Sequence, residues 1–476
     1  MSSKTISAIV VLGLLVQFSC PLQTRAERPN VVLLLADDLG WTGLGCFGSD
    51  LYETPNLDKL CSQGIKFTNA YSACAVCSPT RASVMTGMYP ARLRLTDFIA
   101  GQNRPFAKMR IPDWTKGLES QHVTIAEALK AVGYKTAHLG KWHLASANGA
   151  KNTDPGSQGF DVSISRPKGT RGYFLKENMT SDSGSNYLTD WLTDKACEFI
   201  HDNSKQQPFF LYFAYNVPHT PIQGRDDLVK KFRSKLKPEL THNNPTYAAM
   251  VASLDQSVGR VLQTLDEHGV RDNTIVIFTS DNGGLTQRYG KHDRFTENLP
   301  LRRGKGSAYE GGVRVPAIIH WPGVTTPSVC SEPIMTTDYY PTILEATGAG
   351  GHDQAPGANV DGRSLIGLLK DTQTKLDRSL FWHYPHYHAG GDGPYSAIRN
   401  GPFRLIQFHE DMSLRLYDLR VDIGEQKDLA MSNPKRAKEL LAELQEWRSS
   451  VGAQMPTPNP EFDAKKQTKV SRRKKQ

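Results

Sequence analysis

Cysteine is scarce in this chain: seven among 476 residues, one of them (Cys20) close to the N-terminus. The other six, Cys46, Cys61, Cys74, Cys77, Cys197 and Cys330, are too scattered for a zinc ribbon or a dense disulfide framework. One or two disulfides are compatible with an oxidising compartment, and the spacing fixes no pairing. Long hydrophobic runs are scarce too. After residue 18 no segment is apolar enough to cross a membrane, so no transmembrane segment is expected in the mature chain. There is no internal repeat. A basic face spread along the chain is also missing. The formal net charge is +9, but Lys465, Lys466, Lys469, Arg472, Arg473, Lys474 and Lys475 crowd one stretch with almost no apolar residues. That pattern is expected of a basic, disordered tail over 456–476, and no nucleic-acid partner is expected.

What is present is ordinary globular composition, 38% hydrophobic and 22% charged, in a chain long enough for one large domain and a smaller one. Lys4, the apolar run 6–18 and Thr24-Arg25-Ala26 make a signal-peptide pattern over 1–26, which implies a periplasmic or secreted protein.

Four short apolar runs stop abruptly at polar residues. The run 30–36 ends in Asp37-Asp38-Leu39-Gly40, and 134–139 in Gly140-Lys141-Trp142-His143. The run 209–215 ends in Asn216-Val217-Pro218-His219, and 274–280 in Asp281-Asn282-Gly283-Gly284. Uninterrupted apolar runs of this length suit strands buried on both faces. Helical patterns at 124–132, 187–200 and 247–268 alternate with them. The expected fold is therefore α/β, with a large, mostly parallel sheet sandwiched by helices over 27–350, and ligands gather at the carboxyl ends of such strands. Beyond a Gly/Pro-rich stretch at 348–362, the strand patterns 379–384, 395–399, 403–408 and 414–419 and a helix at 435–447 predict a smaller antiparallel sheet packed by a helix, a C-terminal subdomain over 351–455. Asn400-Gly401 is read as the turn between two of its strands.

Asp37, Asp38, Asp281 and Asn282 offer hard oxygen donors, which suit calcium or magnesium better than zinc. Cys77-Ser78-Pro79-Thr80-Arg81 puts Cys77 near a helix N-terminus, where the dipole favours anions, with Arg81 one turn on. Taken alone, a cysteine such as Cys77 in an exported protein is more often structural, and a thiol nucleophile would need a base partner that the sequence does not identify.

The stretch Cys77 to Gly87 matches C-x-P-[ST]-R-x-x-x-[LM]-T-G and so resembles the signature of the type I sulfatases, which have an alkaline-phosphatase-like fold. Asp37-Asp38-Leu39-Gly40, Gly133 to Leu144, Pro218-His219-Thr220-Pro221, Asp281-Asn282-Gly283, and Lys305-Gly306 with Glu310 to Pro316 resemble further segments of that family, in the same order. The resemblance implies that a maturation enzyme converts Cys77 to Cα-formylglycine, whose hydrate attacks sulfur and is transiently sulfated. It implies one calcium ion, with magnesium as the alternative, held by Asp37, Asp38, Asp281 and Asn282 together with the modified Cys77. Arg81, Lys141 and Lys305 then surround the sulfuryl oxygens, His219 protonates the leaving alkoxide, and His143 takes the proton that lets sulfate depart. Thr80, Ala145 and Arg303 depart from the commoner serine, glycine and glycine, and none removes a group this chemistry needs.

The expected substrate is a sulfate ester, in particular a sulfated glycan. A phosphonate or phosphate ester hydrolase of the same superfamily and a non-catalytic sulfated-glycan-binding protein are the alternatives. The run Phe381 to His388 is readable as a sugar-pocket wall, as a half-buried strand with a polar turn, or as a histidine metal site.

Overall fold

A computed structural model describes residues 28–147, 149–287, 294–350 and 359–468. The signal-peptide pattern at 1–26, residues 351–358 of the Gly/Pro-rich stretch and the basic residues from 469 onward lie outside the described residues.

The strand Asn30–Ala36 is buried at all seven positions because both faces of its sheet are covered. Val32 and Leu34 enter one core, Val31, Leu33 and Leu35 the other, as the two-residue side-chain period of a strand requires. Phe209–Ala214 and Thr274–Ser280 flank it in parallel, and Lys135–Gly140 and then Val162–Ile164 extend the sheet on one side. On the other side the sheet turns mixed. Ala317–His320 runs antiparallel to Thr274–Ser280, Ile65–Phe67 antiparallel to it in turn, and Ser328–Cys330 completes eight strands. Helices Pro55–Gln63, Leu188–Asn203 and Pro245–Glu267 supply one core; Cys77–Thr86, Ile125–Ala131 and Tyr339–Thr347 supply the other.

The smaller sheet is a four-strand antiparallel meander, Ser379–Tyr384, Tyr395–Asn400, Phe403–Phe408 and Leu414–Asp418. Its central hairpin corrects the sequence reading. Asn400 pairs with Phe403, so the two loop residues are Gly401 and Pro402, with Gly401 at φ 55°. Glycine at the first loop position is the type II′ pattern rather than an Asn-Gly turn. Helix Pro434–Ser450 packs on this sheet, stacking Trp447 on Phe381 with ring centroids 4.8 Å apart. Trp382 plugs the meander onto the segment leading to Cys77: it is 1% exposed, and its indole N–H donates to the Ser72 carbonyl at 2.9 Å. Replacing such a side chain with alanine costs about 3–5 kcal/mol.

The chain after 456 also departs from expectation. Thr457–Pro458 pairs antiparallel with Met109–Arg110, and Asn459 Nδ2 donates to the carbonyls of Pro105 and Ala107 at 2.8 and 2.7 Å. Polarity alone suggested a solvated tail; backbone pairing and one asparagine fix this stretch instead.

Candidate active site

The four polar clusters converge because their strands run side by side and end together. Asp281 N–H bonds to Ala36 O, which carries the pairing of their two strands one residue past the sheet, and Asp37 N–H bonds to Val217 O in the loop after the third strand, both at 3.1 Å. Asp38 then turns left-handed at φ 66°, a conformation aspartate tolerates, and its N–H meets Asp281 Oδ1 at 3.1 Å. Two glycines allow the close approaches. A Cβ on Gly140 would lie 2.0 Å from Ala214 O, and one on Gly283 would lie 1.8 Å from Gly311 O.

Cys77 opens helix Cys77–Thr86 with Val76 as N-cap, so the first-turn N–H groups face the same point as the strand ends. Its Sγ lies 3.4 Å from Lys305 Nζ and 3.7 Å from Asp37 Oδ1. Lys141 Nζ clamps both Asp37 oxygens at 2.9 and 2.7 Å, and Lys305 Nζ clamps both Asp38 oxygens at 2.7 and 2.8 Å. Arg81 lies behind them, fully buried, with Nε and Nη2 on Asp281 Oδ2 at 2.9 and 2.7 Å and Nη1 on Lys141 O at 2.8 Å. All of these groups except Arg81 and Asp281 line a cavity of about 480 Å³, together with His143 and His219.

The electrostatics follow from burial and pairing. Burial penalises the Asp37 carboxylate, yet Lys141, His219, Arg81 and Lys305 together hold it well below the usual range. At Asp281 burial wins over Arg81 and pushes the carboxyl up to about 6. Burial also pushes the Cys77 thiol up to about 12, despite Lys141 and Lys305. His143 and His219 are both pushed toward the neutral form, His143 to about 3, by burial and then by Lys141 and Lys305 respectively. Their ring nitrogens are differently engaged. His143 donates from Nε2 to Ile99 O at 2.6 Å, which leaves Nδ1 buried with no partner. His219 donates from Nδ1 to Thr220 O at 2.7 Å, which leaves Nε2 3.6 Å from Asp38 Oδ2.

The oxygen donors of the site fit a hard cation. Asp37, Asp38, Cys77 and His219 each bring a ligand atom within 4.8 Å of the others. Asn282 gives its amide nitrogen to Asp38 Oδ1 at 2.7 Å, and its Oδ1 is buried with no hydrogen-bond partner. A buried amide oxygen without a donor, on a side chain that already contacts Asp38, is a group that an oxygen-ligated calcium or magnesium ion would satisfy.

The sequence-selected residues account for the inner end of the pocket. Phe98, Ile99, Gln102, Arg166, Tyr173 and His388, which form part of the remaining wall, were not selected as site residues. Only His388 had a signal, in the aromatic run. That run divides by position: Ser379–Tyr384 is a half-buried strand, His386 bonds Thr96 Oγ1 at 2.8 Å, and His388 faces the pocket edge-on to Phe98. His383 bonds Ser396 Oγ at 2.8 Å, so the three histidines do not converge on a metal.

A mixed sheet with carboxylates at its strand ends, a cysteine at a helix N-terminus and lysines on both sides defines a hydrolase site for a tetrahedral anion. Residues 29–349 match the Sulfatase family, and residues 304–451 match the C-terminal region of N-sulphoglucosamine sulphohydrolase. The chain belongs to the sulfatase family and is a sulfuric ester hydrolase. It is 33% identical to a sulfatase of Formosa agariphila, covering 91% of each chain, and 31% identical to human arylsulfatase A, covering 85% of this chain and 84% of that one. Among solved structures it is similar to Ps i-CgsB, with TM-score 0.75 and 27% identity over 92% of this chain and 95% of that one. Ps i-CgsB has also been solved in complex with k-i-k-neocarrahexaose.

Proposed function

We propose that this sulfatase removes sulfate from carbohydrates, with a formylglycine made from Cys77 as nucleophile and a calcium ion held by Asp37, Asp38, Asp281 and Asn282. The observation that carries the nucleophile is the setting of Cys77. Its thiol is pushed up to about 12, and among the described residues its sulfur has hydrogen-bond contacts with Lys305 Nζ and Asp37 Oδ1 and not with a histidine nitrogen. A thiol so held is a poor nucleophile. The same position suits an aldehyde hydrate, because the lysines and the helix N-terminus stabilise charge on oxygen there. A maturation enzyme has to supply that oxidation, and the signal-peptide pattern supports export to the periplasm or beyond. Among the described residues no helix is long and apolar enough to cross a membrane.

When formed and bound, the formylglycine hydrate supplies the attacking oxygen, and the ion screens charge on it and on a sulfate oxygen. The remaining work belongs to the chain. Lys141 and Lys305 already stand at the mouth of the carboxylate cluster, so sulfate oxygens meet two fixed cations with little reorganisation. Arg81 positions Asp281 and the backbone of Lys141 rather than reaching the pocket. His219 lines the cavity with Nε2 free of the Thr220 bond, where an arriving sulfate-ester anion strengthens its grip on a proton and lets it protonate the departing alkoxide. His143, neutral with Nδ1 unpartnered, is set to accept a proton.

The sulfated-carbohydrate reading is supported by the wall of Phe98, Gln102 and His388, which offers an aromatic face beside hydrogen-bonding groups. The complex of Ps i-CgsB with k-i-k-neocarrahexaose adds to it. Comparing kcat/KM on aryl sulfates, aryl phosphonates and a panel of sulfated oligosaccharides tests it. Sulfated oligosaccharides are expected to lead; preference for the phosphonate, or no turnover of any sulfate ester, would overturn it.

A further inference from the structure

The pocket continues beyond the groups that face sulfate. Gln102 lines both the active-site cavity and a neighbouring one of about 210 Å³, enclosed by Asn103, Arg104, Arg110, Tyr387 and Asn459. The second cavity has a fixed floor. Tyr387 Oη accepts from Met109 N–H at 3.0 Å and donates to Glu410 Oε1 at 2.6 Å, while Asn459 ties down the carbonyls of Pro105 and Ala107.

Arg104 is the unusual member. Its guanidinium lies over the Tyr387 ring, 5.7 Å from the centroid, and among the described residues its one hydrogen bond is Nη2 to Gln102 Oε1 at 3.4 Å. Its Nε is buried with no hydrogen-bond partner. Burial pushes its pKa down, opposed only by Tyr384 and Tyr387, with no carboxylate contributing. The acids nearby are engaged elsewhere or stand outside. Glu410 takes the Tyr387 hydroxyl, Asp463 pairs with Lys466 at 2.8 Å, and Glu461 lines the rim, exposed. A half-buried guanidinium without a counter-charge is costly, and a planar fork of donors matches sulfate or carboxylate.

We propose that this cavity is a subsite in which Arg104 binds a second anionic group, a sulfate or a carboxylate, on the sugar next to the one being desulfated. The substrate class is then a multiply charged oligosaccharide rather than an isolated sulfate ester. The proposal rests on the sulfated-carbohydrate reading above and narrows it.

The test measures calorimetric binding of singly sulfated oligosaccharides and of the same backbones carrying a second sulfate or a uronate, to turnover-dead Cys77→Ala protein with Arg104 in its wild-type form, Arg104→Gln or Arg104→Lys. The mature forms are kept for the activity assay. Hydrolysis of 4-nitrophenyl sulfate runs alongside. At least one doubly charged fragment should bind the Cys77→Ala protein with Arg104 intact about tenfold or more tighter than its singly charged counterpart. Arg104→Gln should abolish that advantage, Arg104→Lys should keep part of it, and both should leave kcat and KM for 4-nitrophenyl sulfate unchanged. Sulfate or uronate fragments showing the gain identify which anion is taken. No doubly charged fragment gaining affinity, or a gain that survives Arg104→Gln, would overturn the subsite. Absence of any sulfate-ester turnover by wild type would instead strike the underlying reading, while the binding comparison still judges Arg104.

Discussion

At the inner end of the pocket each cation has an anion: Lys141 on Asp37, Lys305 on Asp38, Arg81 on Asp281. Farther out, in the neighbouring cavity, Arg104 has polar and ring contacts among the described residues with Gln102 and Tyr387, and on the pocket wall Arg166 bonds a backbone carbonyl, that of Gly172, at 3.3 Å. The inner groups come from the ends of adjacent buried strands, from the helix that Cys77 opens and, for Lys305, from the loop before Glu310. The outer ones come from loops and from the C-terminal meander. Pairing at the inner end stores a preorganised field for one chemical step. Unpaired polarity outside leaves room for recognition that differs from one substrate to another.

The largest effect expected from breaking this contrast is at residue 77 and at the metal. Cys77→Ala should leave a folded protein with activity at background, read by turnover of 4-nitrophenyl sulfate beside an unchanged circular dichroism spectrum. Chelation should likewise abolish activity, and calcium or magnesium should restore it; full activity in metal-free protein would reduce the carboxylate cluster to strand-end turns. Next comes Lys141→Ala, expected to lower kcat by about a hundred- to a thousandfold, as loss of a preorganised charge does.

The difference in legibility follows the same boundary. Asp37, Asp281 and their neighbours were readable because a buried strand leaves an uninterrupted apolar run, and the first polar residue after it marks the strand's functional end. The runs 30–36 and 274–280 coincide with the strands observed. The antiparallel strands Ile65–Phe67 and Ala317–His320 were not readable, since runs of three and four residues carry too little periodicity. Phe98, Gln102 and Arg104 lie in a loop with no periodic pattern, and its position depends on contacts with residues about 280 to 350 positions away, at His386, Tyr387 and Asn459. The pairing of Thr457–Pro458 with Met109–Arg110 was hidden for the same reason.

An effect that depends on the leaving group separates the two histidines. His219→Ala should cost roughly a hundred- to ten-thousandfold on substrates with basic alkoxide leaving groups and far less on activated aryl sulfates. His143→Ala should cost the same whichever alcohol leaves, because it acts after departure. A plot of log kcat against leaving-group pKa for each variant reads this, and equal slopes for the two would contradict the roles assigned.

The smallest effect belongs to the outer wall. His388 accepts Gly390 N–H on Nδ1 at 3.2 Å, and burial, then Lys305, pushes its pKa down to about 3, so a neutral ring offers Nε2–H to a ligand. Losing one neutral hydrogen bond of about 0.5–1.5 kcal/mol should raise KM for a sulfated oligosaccharide by roughly two- to tenfold. kcat should hold, and KM for 4-nitrophenyl sulfate should not move. A fall in kcat on both substrates would place His388 with the inner groups.

The central claim is that the catalytic oxygen resides on a modified Cys77. Peptide mass spectrometry of active protein, purified from a host with a maturation enzyme and from one without, measures it directly. The expected result is a formylglycine-containing Cys77 peptide whose fraction tracks specific activity across the two preparations. Full activity in protein that carries only the unmodified thiol would contradict the account.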